Sequence, residues 1–107
     1  MSVPERSADQ RARALDAALV ARRERSRLRA ALKARELSAV DVITGAPTHP
    51  LWAAVKVTWL LESIPGIGTV RAARIMADLR IAPSRRVQGL GEHQRADLIE
   101  HLRREGR

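Results

Sequence analysis

Apolar residues recur at helical spacing in the first third of the chain, but few of them are large. Residues 8–36 contain no Gly or Pro and are rich in Ala, Leu, Arg and Glu, which are good helix formers. Ser7 and Gln10 have the spacing of a capping box, which starts a helix. The larger apolar residues form two i, i+4 pairs, Leu15 with Leu19 and Leu28 with Leu32. The pattern predicts one long helix over 8–36 whose apolar stripe packs weakly.

A turn-rich break follows this helix. Ser38 and Asp41 have the same capping-box spacing and predict a short helix through Ile43. Residues 44–50 then hold two prolines and a glycine, and a proline restricts both itself and the residue before it. We therefore expect residues 1–36 to form an N-terminal helical arm that is separate from the rest.

Three further helices are predicted after the break. Residues 51–64 are the most apolar and predict the central core helix, with its tryptophans buried rather than stacked on bases. Helices over 69–79 and 92–104 follow, with a short helical turn beginning at Pro83. The positions predicted to face inward are Trp52, Val55, Trp59, Leu60, Leu61 and Ile64, then Val70, Ala73 and Ala77 with Met76 beside them, then Leu98, Ile99 and Leu102.

No stretch alternates apolar and polar residues, so no sheet is predicted. The expected fold class is all-α, with a long N-terminal helix followed by a compact helical core over 51–104. A chain of 107 residues has the size of a single domain, so we treat 1–107 as one unit.

The distribution of charge adds a functional indication. The net charge is +8, with +5 in residues 1–36, −1 in 37–70 and +4 in 71–107. Two basic regions therefore flank a nearly neutral apolar centre, which is typical of a core between surfaces that face a polyanion. Eighteen of the twenty basic residues are Arg, which suits phosphate oxygens but is also what a GC-rich genome would favour.

Several classes of protein are disfavoured by the composition. The sequence has no Cys, so a disulfide framework and a thiolate zinc site are excluded. No stretch is long and apolar enough to span a bilayer, and the first residues have no apolar signal segment. No segment joins a basic face to a broad apolar one, which disfavours a membrane surface. We expect a cytoplasmic protein without a membrane partner.

Two glycine-bracketed turns carry the candidate chemistry. In the first turn (residues 63–68), Pro65 stops the core helix, and Gly66 and Gly68, which both allow positive φ, bracket an Ile67 that can plug into the core. The first N–H groups of the next helix then point outward at its positive end, where a phosphate binds without a particular base. The cations one turn into that helix are Arg71 and Arg74.

The second turn (residues 84–91) repeats this layout before the last helix. Gly89 and Gly91 bracket one leucine, and Arg85 and Arg86 stand beside them. One such turn is weak evidence, and the structural alternative is that both are only tight helix–helix connections. Two turns that each open a helix beside arginines favour phosphate contact.

The arm carries a further run of cations between its leucine pairs. Arg22, Arg25 and Arg29 recur at helical spacing and form a candidate second DNA surface. The alternative is that these arginines only solvate an exposed helix face.

The two turns resemble those of the actinobacterial integration host factor family. The resemblance rests on residues 60–68 followed by Val70-Arg71-Ala72, and on residues 84–91, and it extends to the Ala/Arg-rich first helix. It implies a helix-two-turns-helix core like that of ribosomal protein S13, in a nucleoid-associated protein. It also implies duplex binding with little sequence preference, an effect on DNA topology, and support for site-specific phage integration.

The resemblance also indicates which residues face DNA. The positions that match the family motif are Gly66, Gly68, Arg71, Arg85, Arg86, Gly89 and Gly91. The family usually has Arg at position 88 and often Lys at position 69, where this chain has Gln88 and Thr69. Each departure removes a cation but keeps a hydrogen-bonding group, so both residues stay among the predicted contacts, together with Arg74.

Three other functions compete with DNA binding. Ribosomal RNA binding is the nearest alternative, but the long basic C-terminal tail of that protein class is missing. A DNA lyase needs an amine near the hairpin, and the only lysines, Lys33 and Lys56, lie elsewhere. His93, Asp97 and His101 recur every four residues as a metal site would require, but no fourth ligand is evident. We expect no enzyme activity, cofactor, metal or small-molecule substrate, and a monomer when free.

Overall fold

The computed structural model describes residues 7–106, and these residues form an all-α fold as predicted. Residues 1–6 of the predicted arm, and residue 107, lie outside the described part. The α-helices are α1 (Ala8–Lys33), α2 (Ala39–Gly45), α3 (Pro50–Ala54), α4 (Val57–Glu62), α5 (Thr69–Asp78) and α6 (Glu92–Arg104). Two 3-10 turns, Ala46–Thr48 and Val87–Gly89, complete the helical elements. None of the helices in residues 7–106 combines the length and hydropathy of a membrane span.

The first helix is long but joins the core only near its end. The predicted capping box forms, because Gln10 N–H donates to Ser7 Oγ at 3.2 Å and Ser7 N–H donates to Gln10 Oε1 at 2.9 Å. Leu28 and Leu32 are buried, whereas Leu15 is 62% exposed. The 26 residues of α1 extend roughly 39 Å. The molecule is therefore elongated, at 58 Å by 30 Å by 27 Å.

The end of α1 lies at Lys33, so the predicted extension to residue 36 is wrong. Arg35 has a φ of 61°, and Glu36 N–H donates to the Ala31 carbonyl at 2.9 Å. This backbone pattern is the usual left-handed stop at the end of a helix. The reversal of the chain packs Leu37 against the core. A helix that continued past Lys33 would carry Leu37 away from the core.

The second helix begins as predicted and runs further than predicted. Asp41 N–H donates to Ser38 Oγ at 3.0 Å, and Ser38 N–H donates to Asp41 Oδ2 at 3.1 Å. The helix continues past Ile43 to Gly45. A Cβ at Gly45 would lie 2.7 Å from Trp52 Cζ3, so the missing side chain leaves room for the indole ring.

The prediction of one central helix over 51–64 is wrong. The chain forms α3 and α4 instead, separated by Val55 and Lys56 in extended conformation. Two backbone hydrogen bonds of 3.0 Å tie this break to the second turn: Val57 N–H to the Arg85 carbonyl, and Val87 N–H to the Val55 carbonyl. They form an isolated antiparallel bridge between Lys56 and Arg86. No strand is present in residues 7–106, so this bridge is not part of a sheet.

The core is formed mainly by α2, α4, α5 and α6. Its fully buried large side chains are Val42, Ile43, Val57, Leu60, Leu61, Leu98 and Leu102. Helix α6 packs as predicted, with Ile99 half-buried beside its two buried leucines. The tryptophans, predicted to be buried, pack against the core but stay half-exposed.

Helix α5 buries a different face from the one predicted. Ala72, Ile75 and Met76 are buried, whereas Val70 is 76% exposed. The other residues predicted to face inward, Ala73 and Ala77, are also exposed. The residues that are buried recur at i, i+3 and i+4, which is itself a helical apolar pattern. Pro83 lies in a turn closed by Arg85 N–H and the Ala82 carbonyl at 2.9 Å, not at the start of a helix.

Candidate nucleic-acid interface

The first turn has the backbone geometry that its Pro–Gly pair requires. Ile67 N–H donates to the Ile64 carbonyl at 3.1 Å, and Gly66 between them has a φ of 84°. Proline at the second position and a left-handed glycine at the third are typical of a type II turn. Ile67 is buried, as predicted, and anchors the turn. Gly68, which also allows a positive φ, has a φ of −91° and does not use that freedom.

The N-terminus of α5 is open to an anion. Gly68 is its N-cap, and no side chain of the described residues accepts a hydrogen bond from the first turn of the helix. A Cβ at Gly68 would meet nothing within 4 Å, and the first turn holds no acidic residue. Thr69 and Val70 are both exposed beside it. The first N–H groups and the positive end of the helix dipole are therefore accessible.

The second turn differs from the first, although the sequence suggested that the two are equivalent. Val87 is buried and anchors it, and Gly91 is the N-cap of α6. Gly91 N–H donates to Gln94 Oε1 at 2.9 Å, and Glu92 stands in the first helical turn. Because a carboxylate already occupies the positive end of α6, this helix attracts a phosphate less than α5 does.

The arginines of the second turn are held by backbone carbonyls. Arg85 Nη1 donates to the Gly89 carbonyl at 2.9 Å, and Arg86 Nη1 donates to the Ala54 carbonyl. A Cβ at Gly89 would lie 3.1 Å from Arg85 Cδ, so this glycine makes room for the folded arginine rather than supplying a positive φ. Both guanidinium groups are exposed and fixed beside the turn.

The arginines of the first turn differ in their partners. Arg74 is exposed and makes no ion pair or hydrogen bond with the part of the chain described. Arg71 forms an ion pair with Glu105 Oε1, just beyond the end of α6. The second oxygen of Glu105 lies 3.0 Å from His101 Nε2. Glu105 was not among the predicted site residues, because 34 residues separate it from Arg71.

The residues predicted to contact DNA at the two turns therefore lie on the surface. All ten predicted contacts at the two turns are exposed except Gly89, which is half-buried. The histidine and aspartate residues considered as metal ligands are a separate group. In residues 7–106, no three His, Asp or Glu side chains converge as a metal site requires, and His101 lies against Glu105.

Arg29 has a different environment from the other arginines of the arm. Its Nε donates to Ser63 Oγ at 2.9 Å, and its guanidinium carbon lies 4.6 Å from the centre of the Trp59 ring. Ser63 is fully buried, so this contact ties α1 to the end of α4. Arg22 and Arg25 remain exposed. Of the three predicted arm residues, Arg29 has contacts that favour a packing role, and its contact with DNA stays a prediction.

Three relatives match almost the whole chain, and each is named integration host factor. That of Mycolicibacterium smegmatis is 43% identical over 100 residues, which cover 94% of this chain and 95% of the relative. The relative from Mycobacterium tuberculosis is 41% identical over 100 residues, which again cover 94% of this chain and 95% of the relative. That of Streptomyces coelicolor is 45% identical over 98 residues, or 92% of each chain. The chain belongs to the actinobacterial integration host factor family.

The integration host factor family resemblance is thus confirmed, and so is the predicted helix-two-turns-helix core. Residues 32–102 match the family model of the S13-like H2TH domain. This range begins where α1 enters the core and leaves most of the arm outside. A solved structure described as sIHF bound to an 8bp palindromic DNA matches with a TM-score of 0.77 and 42% identity. The match covers 81% of this chain and 98% of the chain in the solved structure.

Proposed function

We propose that this integration host factor family member is a nucleoid-associated protein that binds duplex DNA through its phosphates, with little sequence preference. The open N-terminus of α5 carries the proposal, because it offers backbone N–H groups, a positive dipole end and no competing acid. Backbone N–H groups recognise phosphate oxygens without reading a base. The DNA-bound state of the solved relative supports the same partner.

Both turns can contact one duplex because α4 connects them. The second turn is bonded to the start of α4 through Val57 N–H, and the first turn begins at Ser63 directly after its end. A helix of 6 residues extends only about 9 Å. The exposed Val70 on α5 can then pack on a deoxyribose, which is also independent of sequence.

The direct test is a fluorescence-anisotropy titration of the full chain with three unrelated duplexes and one structured RNA over a series of salt concentrations. If about six phosphates are contacted, log K should fall with log salt with a slope of about −5 for every duplex. Tighter binding to the RNA would favour the ribosomal alternative, for which the S13-like fold is the supporting observation. Clearly unequal duplex affinities would indicate base readout instead.

Glu105→Gln should increase the affinity for every duplex by about two- to fivefold, because surface ion pairs contribute at most about 1 kcal/mol. The carboxylate competes with DNA phosphate for Arg71, and the neutral amide competes less. The matched control is Glu100→Gln, an exposed α6 residue whose replacement changes the net charge equally. A loss of affinity in Glu105→Gln alone would show that Glu105 positions Arg71 for DNA instead.

The arm supplies a second DNA surface through Arg22 and Arg25. An Arg22→Gln/Arg25→Gln variant should constrain fewer supercoils in a plasmid relaxed by topoisomerase, at protein concentrations that saturate the core site. Arg103→Gln/Arg104→Gln, at the exposed end of α6, is the charge-matched control. If the arm variant constrains as many supercoils as the wild type, these arginines only solvate the helix.

The remaining parts of the proposal follow from the same surfaces. A protein that contacts phosphates on one face and carries a second basic surface changes DNA topology by bending or bridging, and so supports site-specific phage integration. We propose that it is a monomer when free, has no catalytic activity, and resides in the cytoplasm on the nucleoid. The family membership of the chain supports these statements.

A further inference from the structure

A basic hollow of about 240 Å³ lies between the arm, the α3–α4 break and the second turn. Three cations, Arg25, Lys56 and Arg86, stand around it, and its apolar lining includes Leu51, Ala54 and Trp59. No carboxylate is among the residues that line it. The hollow therefore joins a positive rim to an apolar surface.

The fold brings these cations together from three distant segments. The antiparallel bridge places Lys56 opposite Arg86, and the Ala54 carbonyl holds the Arg86 guanidinium at the edge of the hollow. Arg25 comes from α1, one helical turn before Arg29, whose bond to buried Ser63 fixes the helix there. All three rim cations are exposed, and Arg86 has further N–H donors besides the one bonded to Ala54.

The indole of Trp59 supplies the aromatic part of the lining. The Arg29 guanidinium lies over one face of this ring, at 4.6 Å from its centre, so a base would contact the part of the ring that borders the hollow. The half-buried ring also borders the hollow together with Leu51 and Ala54. Aromatic side chains bind nucleobases by stacking, regardless of the identity of the base.

We propose that this hollow binds a free nucleoside diphosphate, with its base against Trp59 and its phosphates on the rim. A planar aromatic group suits the apolar lining, and two phosphates suit three cations in a lining that holds no carboxylate. The volume lies below the roughly 300–1,000 Å³ of pockets that enclose a whole drug-sized ligand. We therefore expect the base to be enclosed and the phosphates to stay at the exposed rim.

The test is isothermal titration calorimetry of the full chain with GDP, ADP, inorganic pyrophosphate and guanosine, with tryptophan fluorescence as a second readout. Both nucleotides should bind more tightly than pyrophosphate or guanosine. Lys56→Ala should weaken nucleotide binding by about tenfold, the usual loss for a charge-assisted hydrogen bond. Lys33→Ala removes the other lysine, which is exposed and outside the hollow, and should change little.

A second matched pair uses neighbouring arginines of α1. Arg25→Ala should weaken nucleotide binding, whereas Arg27→Ala, an exposed residue outside the hollow, should not. Equal binding of pyrophosphate and nucleotides, or equal losses in both members of either pair, would show general anion attraction to a +8 chain and overturn the proposal. The absence of nucleotide binding would also overturn it.

The outcome is separable from the DNA proposal. Arg85 is outside the hollow, so Arg85→Ala should weaken duplex binding and leave nucleotide binding unchanged. If the chain binds duplexes but no nucleotide, only the proposal of nucleotide binding in the hollow is overturned. A chain that binds nucleotides but no duplex overturns only the DNA proposal.

Discussion

Replacing Arg85 and Arg86 together by alanine should weaken binding to every duplex by about a hundredfold, since each lost charge-assisted phosphate contact costs roughly tenfold. Both guanidinium groups are exposed and held beside the second turn by backbone carbonyls. The slope of log K against log salt should become shallower by about 2, because each phosphate contact contributes roughly 1. Anisotropy titrations over a salt series, on three unrelated duplexes, measure both quantities.

The control for this variant is Arg103→Ala/Arg104→Ala. It removes the same charge from exposed positions at the end of α6, which lies beside the first turn and not beside the second. Equal losses in the two variants would mean that net charge, and not the second turn, determines the affinity. Losses confined to one duplex sequence would instead assign base readout to these arginines. Circular dichroism of both variants should match the wild type, since neither pair is buried.

Leu32→Ala should lower the free energy of unfolding by about 2–5 kcal/mol, the usual range for a buried leucine. Leu32 is 2% exposed and, with Leu28, is one of the two residues that α1 buries in the core. Small domains are stable by only about 5–15 kcal/mol, so this loss is large. Urea unfolding of the full chain measures it.

The matched control is Leu15→Ala, the same substitution on the same helix. Leu15 is 62% exposed, so its removal should change the free energy of unfolding by less than about 0.5 kcal/mol. A comparable loss in both variants would show that the outer half of the arm is packed in solution, either on the core or on a second copy. A loss in Leu32→Ala alone would show that only the inner end of α1 contributes to the stability of the core.

Much of the helical structure followed from short-range interactions. The capping boxes at Ser7 and Ser38 form as predicted, because each depends on side chains only three residues apart. The buried Ile67 and the left-handed Gly66 likewise follow from a Pro–Gly pair in one turn. The family resemblance rested mainly on the two turns, which are also local segments, and it was confirmed by relatives that match nearly the whole chain.

The errors occurred where distant segments compete with local preference. Residues 51–64 have a helical pattern, yet Val55 leaves the helix because its carbonyl accepts from Val87 N–H on the second turn. The face of α5 is a different case, because Ala72, Ile75, Met76 and Leu79 recur at i, i+3, i+4 and i+7 and do face the core, so the assignment of Val70 misread a pattern that the sequence contains.

The sequence by itself determined the all-α class, the starts of α1, α2, α5 and α6, the two glycine turns and the basic character of the surfaces around them. These features depend on composition and on neighbours within four residues. Only the tertiary structure decided which cations are available. Packing sets Arg29 against Ser63 and Trp59, pairs Arg71 with Glu105, and brings Lys56 beside Arg86. Each of these contacts joins residues about thirty positions apart. Their partners are selected by how the helices pack, which no local pattern contains.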